Sequence, residues 1–102
     1  MKKQGKFSTL INGATPVLVD FSAEWCGPCK AMAPILSKLK AKVGGEVKVV
    51  KIDVDRNPAL ATQYRVQGVP TLILFHQGKP KWRQSGIVPL PELLKVLDTY
   101  RS

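Results

Sequence analysis

The sequence predicts an α/β domain in the order αβαβαββα, built on a mixed sheet, and three observations carry that expectation. Two apolar runs, Pro16 to Phe21 and Val47 to Val54, flank a long helical pattern, so they pair in parallel through a right-handed crossover. Two later runs, Thr71 to Phe75 and Lys81 to Ile87, flank the polar turn His76-Gln77-Gly78-Lys79-Pro80 and predict an antiparallel hairpin. With 102 residues, of which 44% are hydrophobic, the chain suffices for one domain with its own core.

Each element has a local reason. Residues 6–12 predict a first helix, because Phe7, Leu10 and Ile11 recur at helical spacing. Pro16 to Phe21 is apolar on both faces, as a central parallel strand is. A helix follows from Pro28 to Val43, turning Met32, Ile35, Leu36 and Leu39 inward; Pro34 bends it and Gly44-Gly45 ends it. Asn57 as a capping residue and Pro58 as a first residue open a short helix reaching Tyr64. Pro91 to Tyr100 closes the sequence as an amphipathic helix with Leu93, Leu94 and Leu97 inward.

The only two cysteines lie three apart in Trp25-Cys26-Gly27-Pro28-Cys29-Lys30, between the first strand and the long helix. Thiols at that spacing share a helical face and can close a disulfide. Zinc uses the same spacing but wants four ligands, and His76 is the only other strong candidate. A structural staple gains least from so short a loop. Redox chemistry is therefore the favoured reading. Pro28 needs no N–H donor in the first turn, which leaves Cys26 at the helix mouth, where unpaired amides and the dipole favour a thiolate. Cys29 is expected a turn deeper. Cys26 then attacks a substrate disulfide and Cys29 resolves the mixed disulfide.

Asp20 interrupts an apolar strand, and a carboxylate there is costly unless paired or protonated. Lys51 keeps phase with Val47 and Val49, and neighbouring parallel strands would bring it to Asp20. Two readings stand: a desolvated acid that moves protons for Cys29, or a hydrated acid at the strand end with Lys51 snorkelling outward. Pro70, in Gly68-Val69-Pro70-Thr71, reads by itself as a strand-entrance marker. His76 reads as a turn residue and Trp82 as an outward hairpin residue.

The formal net charge is +9. Lys38, Lys40 and Lys42 form the densest run, without the interleaved aromatics of a stacking platform, which favours a solvated helix face over a nucleic-acid site. Such charge steers acidic partners chiefly through encounter rate. The basic N-terminus is followed by too polar a stretch for a signal peptide, and no segment has the length of a membrane span. The expected location is the cytoplasm, where a vicinal dithiol is more often catalytic than structural.

Val19-Asp20-Phe21-Ser22-Ala23-Glu24-Trp25-Cys26-Gly27-Pro28-Cys29-Lys30, then Ala33-Pro34, closely resembles the thioredoxin family. So do Val50 to Asp55 with Asn57-Pro58, and Gly68 to Phe75, in the family's order and spacing. The resemblance implies the thioredoxin fold: a central mixed sheet of four strands, or five with the family's opening strand, flanked by helices on both faces. It implies a monomeric general protein disulfide reductase with no bound cofactor, metal, nucleic acid or membrane. Its redox-active Cys26–Cys29 disulfide would be recharged from NADPH by a thioredoxin reductase, and disulfide-containing proteins would be its substrates. By the same resemblance Asp20 is the buried acid/base beside Lys51, and Pro70 is a cis-proline. Val69 would pair its backbone with a substrate strand, while Trp25, Gly27, Pro28 and Gly86 line the docking groove. Three departures stand out: little room for an opening strand, Ser22 where the family often has an aromatic residue, and the +9 charge. An oxidase or isomerase on the same fold, and a non-catalytic binding platform, are the alternatives; the Gly-Pro dipeptide resembles the reducing members.

Overall fold

The computed structural model describes residues 2–101, with side chains described for residues 6–101. Its elements are α1 (Lys2–Ile11), β1 (Val17–Ser22), α2 (Gly27–Val43), a 3-10 turn (Gly44–Glu46), β2 (Lys48–Asp53), α3 (Pro58–Gln63), β3 (Thr71–His76), β4 (Lys79–Ser85) and α4 (Leu90–Asp98). The sheet has four strands in the order β2-β1-β3-β4. β1 runs parallel to β2 and antiparallel to β3, and β3 and β4 form the hairpin. Among the described residues no strand precedes α1.

The strand period of two divides the core into two layers. Leu18, Leu72 and Leu74 meet Met32, Leu36, Leu39 and Val43 of α2 and Leu93 and Leu97 of α4. Val17, Val19, Phe21, Ile73 and Phe75 meet Phe7 and Ile11 of α1 and Leu60 of α3. Phe7, Tyr64 and Phe75 form a tilted and edge-on aromatic cluster in the second layer, with Phe21 against Tyr64. β1 sits between two strands and under helices on both faces, and each of its six residues is buried.

Five local expectations are corrected. α1 begins at Lys2 rather than residue 6, since lysine and glutamine extend a helix without an apolar period to reveal it. β4 runs from Lys79 to Ser85, not from Lys81 to Ile87. The hairpin turn is the tight pair Gln77-Gly78, with φ of 55° and 82°, the positive pair that a two-residue hairpin connection demands. Pro80 is tolerated inside β4 because that strand is an edge, beside a bulge at Leu74/Phe75. Trp82 pairs with Leu74 and packs half-buried against the α2/α4 layer rather than pointing outward. Asn57 stands at the head of α3 without a side-chain cap bond; its amide donates to the Asp53 carbonyl instead, at 3.0 Å.

Candidate active site

β1 delivers the chain from the sheet centre to Ala23, and α2 starts four residues later. Between them Cys26 has extended backbone, with φ −92° and ψ 113°, and its sulfur accepts the Cys29 N–H at 3.1 Å. A cysteine thus fills the position where serine or aspartate usually caps a helix. Pro28 lies in the first turn, where its missing donor costs nothing. The two cysteines form a disulfide with Cα atoms 5.2 Å apart.

The expected contrast in burial between them is absent, since Cys26 is 3% and Cys29 4% exposed. Both lie under Ala23, Val54 and Val69. Their surroundings differ in direction instead. The Cys26 sulfur is 3.6 Å from the Val69 carbonyl oxygen, a part-buried contact. Cys29 lines a cavity of about 370 Å³ that Ala33 and Lys51 also line.

Val69 is held there by its neighbours. The Val69-Pro70 peptide is cis. The Thr71 hydroxyl donates to the Gly68 carbonyl at 2.6 Å and meets Ser85 Oγ at 2.9 Å. The Gly86 N–H donates to the Pro70 carbonyl at 2.9 Å, which carries the chain past the site; Gly86 has φ 92°, a region open mainly to glycine. Trp25 is 71% exposed, and its indole N–H donates to Asp55 Oδ2 at 2.8 Å. Asp53 Oδ1 accepts the Asp55 and Arg56 amides and so holds that loop.

Asp20 is 2% exposed, and one carboxylate oxygen, Oδ1, has no hydrogen-bond partner among the described residues. Burial pushes its pKa up to about 6, partly opposed by the Lys51 ammonium. Register makes Lys51 its strand neighbour, yet no salt bridge joins them among the described residues, and Lys51 stays exposed. Asp20, Ala33 and Lys51 line a second cavity, of about 280 Å³. Ala33 and Lys51 are common to both cavities, so the spaces beside Asp20 and Cys29 adjoin.

The structure thus gathers Trp25, Cys26, Gly27, Pro28, Cys29, Val69, Pro70 and Gly86 at one end of the sheet, with Asp20 and Lys51 beneath. Sequence reasoning missed the contacts of two residues and the exposure of a third. Asp55 fastens Trp25, and Met32 accepts the Val88 N–H on its sulfur at 3.3 Å. Ile87, next to Gly86, is 51% exposed and is, with Trp25, a large apolar side chain left in solvent. An isoleucine beyond a strand-ending glycine was the available signal for the last of these.

A vicinal cysteine pair capping a helix beside a cis-proline loop defines a thiol-disulfide oxidoreductase. The family model described as Thioredoxin matches residues 1–99. Thioredoxin-like protein slr0233 of Synechocystis is 46% identical over 102 residues, covering 98% of this chain and 97% of that one. A thioredoxin of Staphylococcus aureus is 47% identical over 83 residues, 81% of this chain and 80% of that one. A mutant thioredoxin from Halobacterium salinarum superposes with a TM-score of 0.88 at 36% identity, over 97% of this chain and 86% of that one. The chain belongs to the thioredoxin family. No helix among the described residues is long and apolar enough to cross a membrane.

Proposed function

We propose that this chain is a general reductase of protein disulfides that works as a monomeric, single-domain cytoplasmic carrier of two electrons. The observation that carries the reading is the Cys26 sulfur at the helix N-cap, accepting the Cys29 N–H beside the Val69 carbonyl. Once the pair is reduced, the same N–H and the positive helix end favour a Cys26 thiolate. That thiolate attacks one sulfur of a substrate disulfide, forming a mixed disulfide and expelling the other sulfur as a thiolate. The Cys29 proton passes to ionised Asp20 through the adjoining cavities, with Lys51 steadying the carboxylate charge. Cys29 then attacks the Cys26 sulfur, which releases the substrate dithiol and leaves the Cys26–Cys29 disulfide.

Trp25, Gly27, Pro28, Val69, Gly86 and Ile87 offer a shallow, largely apolar platform suited to many substrates, backed by the buried Pro70. Val69 presents backbone groups to an extended segment, as in strand addition. A thioredoxin reductase returns two electrons from NADPH, and no bound cofactor is required. The roles of the thiols are separable. Cys26→Ser is expected to abolish reduction of a protein disulfide, whereas Cys29→Ser accumulates a covalent adduct through Cys26. Adducts trapped equally on both cysteines would overturn the assignment.

A further inference from the structure

β2 is an edge of the sheet, and its outer side is open. The Lys48 N–H bonds the Pro16 carbonyl and the Val54 N–H bonds the Ser22 carbonyl, each at 2.9 Å. In a parallel ladder alternate residues turn their backbone groups inward, so Lys48, Val50 and Ile52 face β1 while Val49, Lys51 and Asp53 face away. The Asp53 carbonyl bears this out by accepting the Asn57 N–H and side-chain amide from outside the sheet, both at 3.0 Å. The N–H and C=O of Val49 and Lys51 and the N–H of Asp53 have no partner among the described residues.

The opposite edge is blunted. β4 carries Pro80 and a bulge beside it, both defences against added strands. β2 has neither proline, glycine nor bulge.

We propose that the outer edge of β2 docks an extended acidic segment of a partner protein, which joins the sheet as an added strand. The ladder requires alternating donors and acceptors, which a peptide backbone supplies and a phosphate chain does not. The flanking charge selects acidity. Lys40 and Lys51 rim the cavity beside β2, whose apolar wall includes Ala33, Leu36 and Val49. Lys38, Lys42 and Lys48 are exposed close by in the chain and outnumber the acids there, which are Asp20 in the same cavity, Asp53 at the end of β2, and Glu46, held by Arg101 at 2.8 Å. A second copy would set these same lysines against each other, which charge disfavours. Val49 packs with the α2 layer and Val50 and Ile52 with the α1 layer. An added strand alternating acidic and apolar residues therefore meets Lys40 and Lys51 on one face and the apolar stripe of Val50 and Ile52 on the other.

The proposal is independent of thiol chemistry, so its test uses oxidised protein and a cysteine-free probe. An acetylated heptapeptide alternating Glu and Val is titrated against the labelled protein by NMR. Hydrogen exchange should slow by about tenfold or more at the Val49, Lys51 and Asp53 amides, with the inward amides of Val50 and Ile52 unchanged. Lys40→Glu combined with Lys48→Glu, both exposed positions, should weaken binding by about tenfold. A peptide with Lys for Glu, and an N-methylated peptide of the original charge, should fail to protect these amides. Equal binding of the N-methylated peptide or of a short oligonucleotide would overturn the proposal in favour of a charged patch. Protection that appears on concentrating the protein alone would overturn it in favour of a second copy. Absence of protection at the three amides would show that the edge docks nothing of this kind.

Discussion

Asp20 carries a conflict between stability and chemistry. Its folded pKa of about 6 lies above the ordinary value of 3.8, so the fold favours the protonated acid. The associated stability is fully present below pH 4 and is lost as pH rises through about 6. Two units correspond to roughly 2 to 3 kcal/mol, with burial as the main cause and Lys51 reducing it. Asp20→Ala is therefore expected to be more stable than the parent near pH 7 by roughly 1 to 3 kcal/mol, with the gain shrinking towards pH 4. The same variant should release substrate more slowly, because Cys29 would lose the proton acceptor proposed for it. Denaturant unfolding from pH 4 to 8, with single-turnover disulfide reduction, measures both. A destabilised or fully active variant would refute the role. Ser22 adds a second buried oxygen without a hydrogen-bond partner among the described residues, two positions along the same strand.

The β3–β4 hairpin shows how an element away from the cysteines holds the molecule together. Its tip is tied to α1 by the bond from the Gly78 N–H to the Ile11 carbonyl at 2.9 Å. A Cβ at Gly78 would lie 2.7 Å from Asn12 Oδ1, on a backbone of φ 82°. Asn12 can move, but the positive φ cannot be relieved so simply. Gly78→Ala should cost about 1 to 2 kcal/mol, read as a lower midpoint in chemical denaturation with the slope unchanged. Reduction of small disulfides, corrected for the folded fraction, should be unaltered, because Gly78 joins β3 and β4 at the end away from Thr71 and Ser85, which adjoin the cis-proline loop. A neutral substitution would show that the turn is not what sets the register.

For the whole molecule, charge is expected to separate substrates. A net +9 accelerates encounter with acidic proteins, and salt screens it over a Debye length of about 8 to 10 Å near physiological ionic strength. The bimolecular rate with an acidic protein disulfide should fall several-fold as ionic strength rises, while a small neutral disulfide is indifferent. Identical salt responses would assign the charge to solubility alone. Besides the buried Asp20, Glu24, Asp53 and Asp55 are the acids near the cysteine end, with Asp55 bound to Trp25. The lysine excess from Lys38 to Lys51 lies instead along α2 and the β2 edge.

Local patterns determined much of this protein. The two apolar strands, the long helix stopped by Gly44-Gly45 and the cysteine pair at its mouth were legible because each is written within a few consecutive residues. The resemblance to a family supplied what no local pattern holds, above all the cis peptide before Pro70 and the expectation that Val69 meets a substrate strand and Gly86 lines a docking groove. The tertiary structure decided the rest. It left Lys51 exposed beside Asp20 with no ion pair among the described residues, fastened Trp25 to Asp55, turned Trp82 inward, and gave both cysteines equal burial with unlike surroundings. Each of those depends on strand register or on a loop folding back from a distant part of the chain. Register follows from how all the strands and helices pack at once, and a single segment carries no record of its partners.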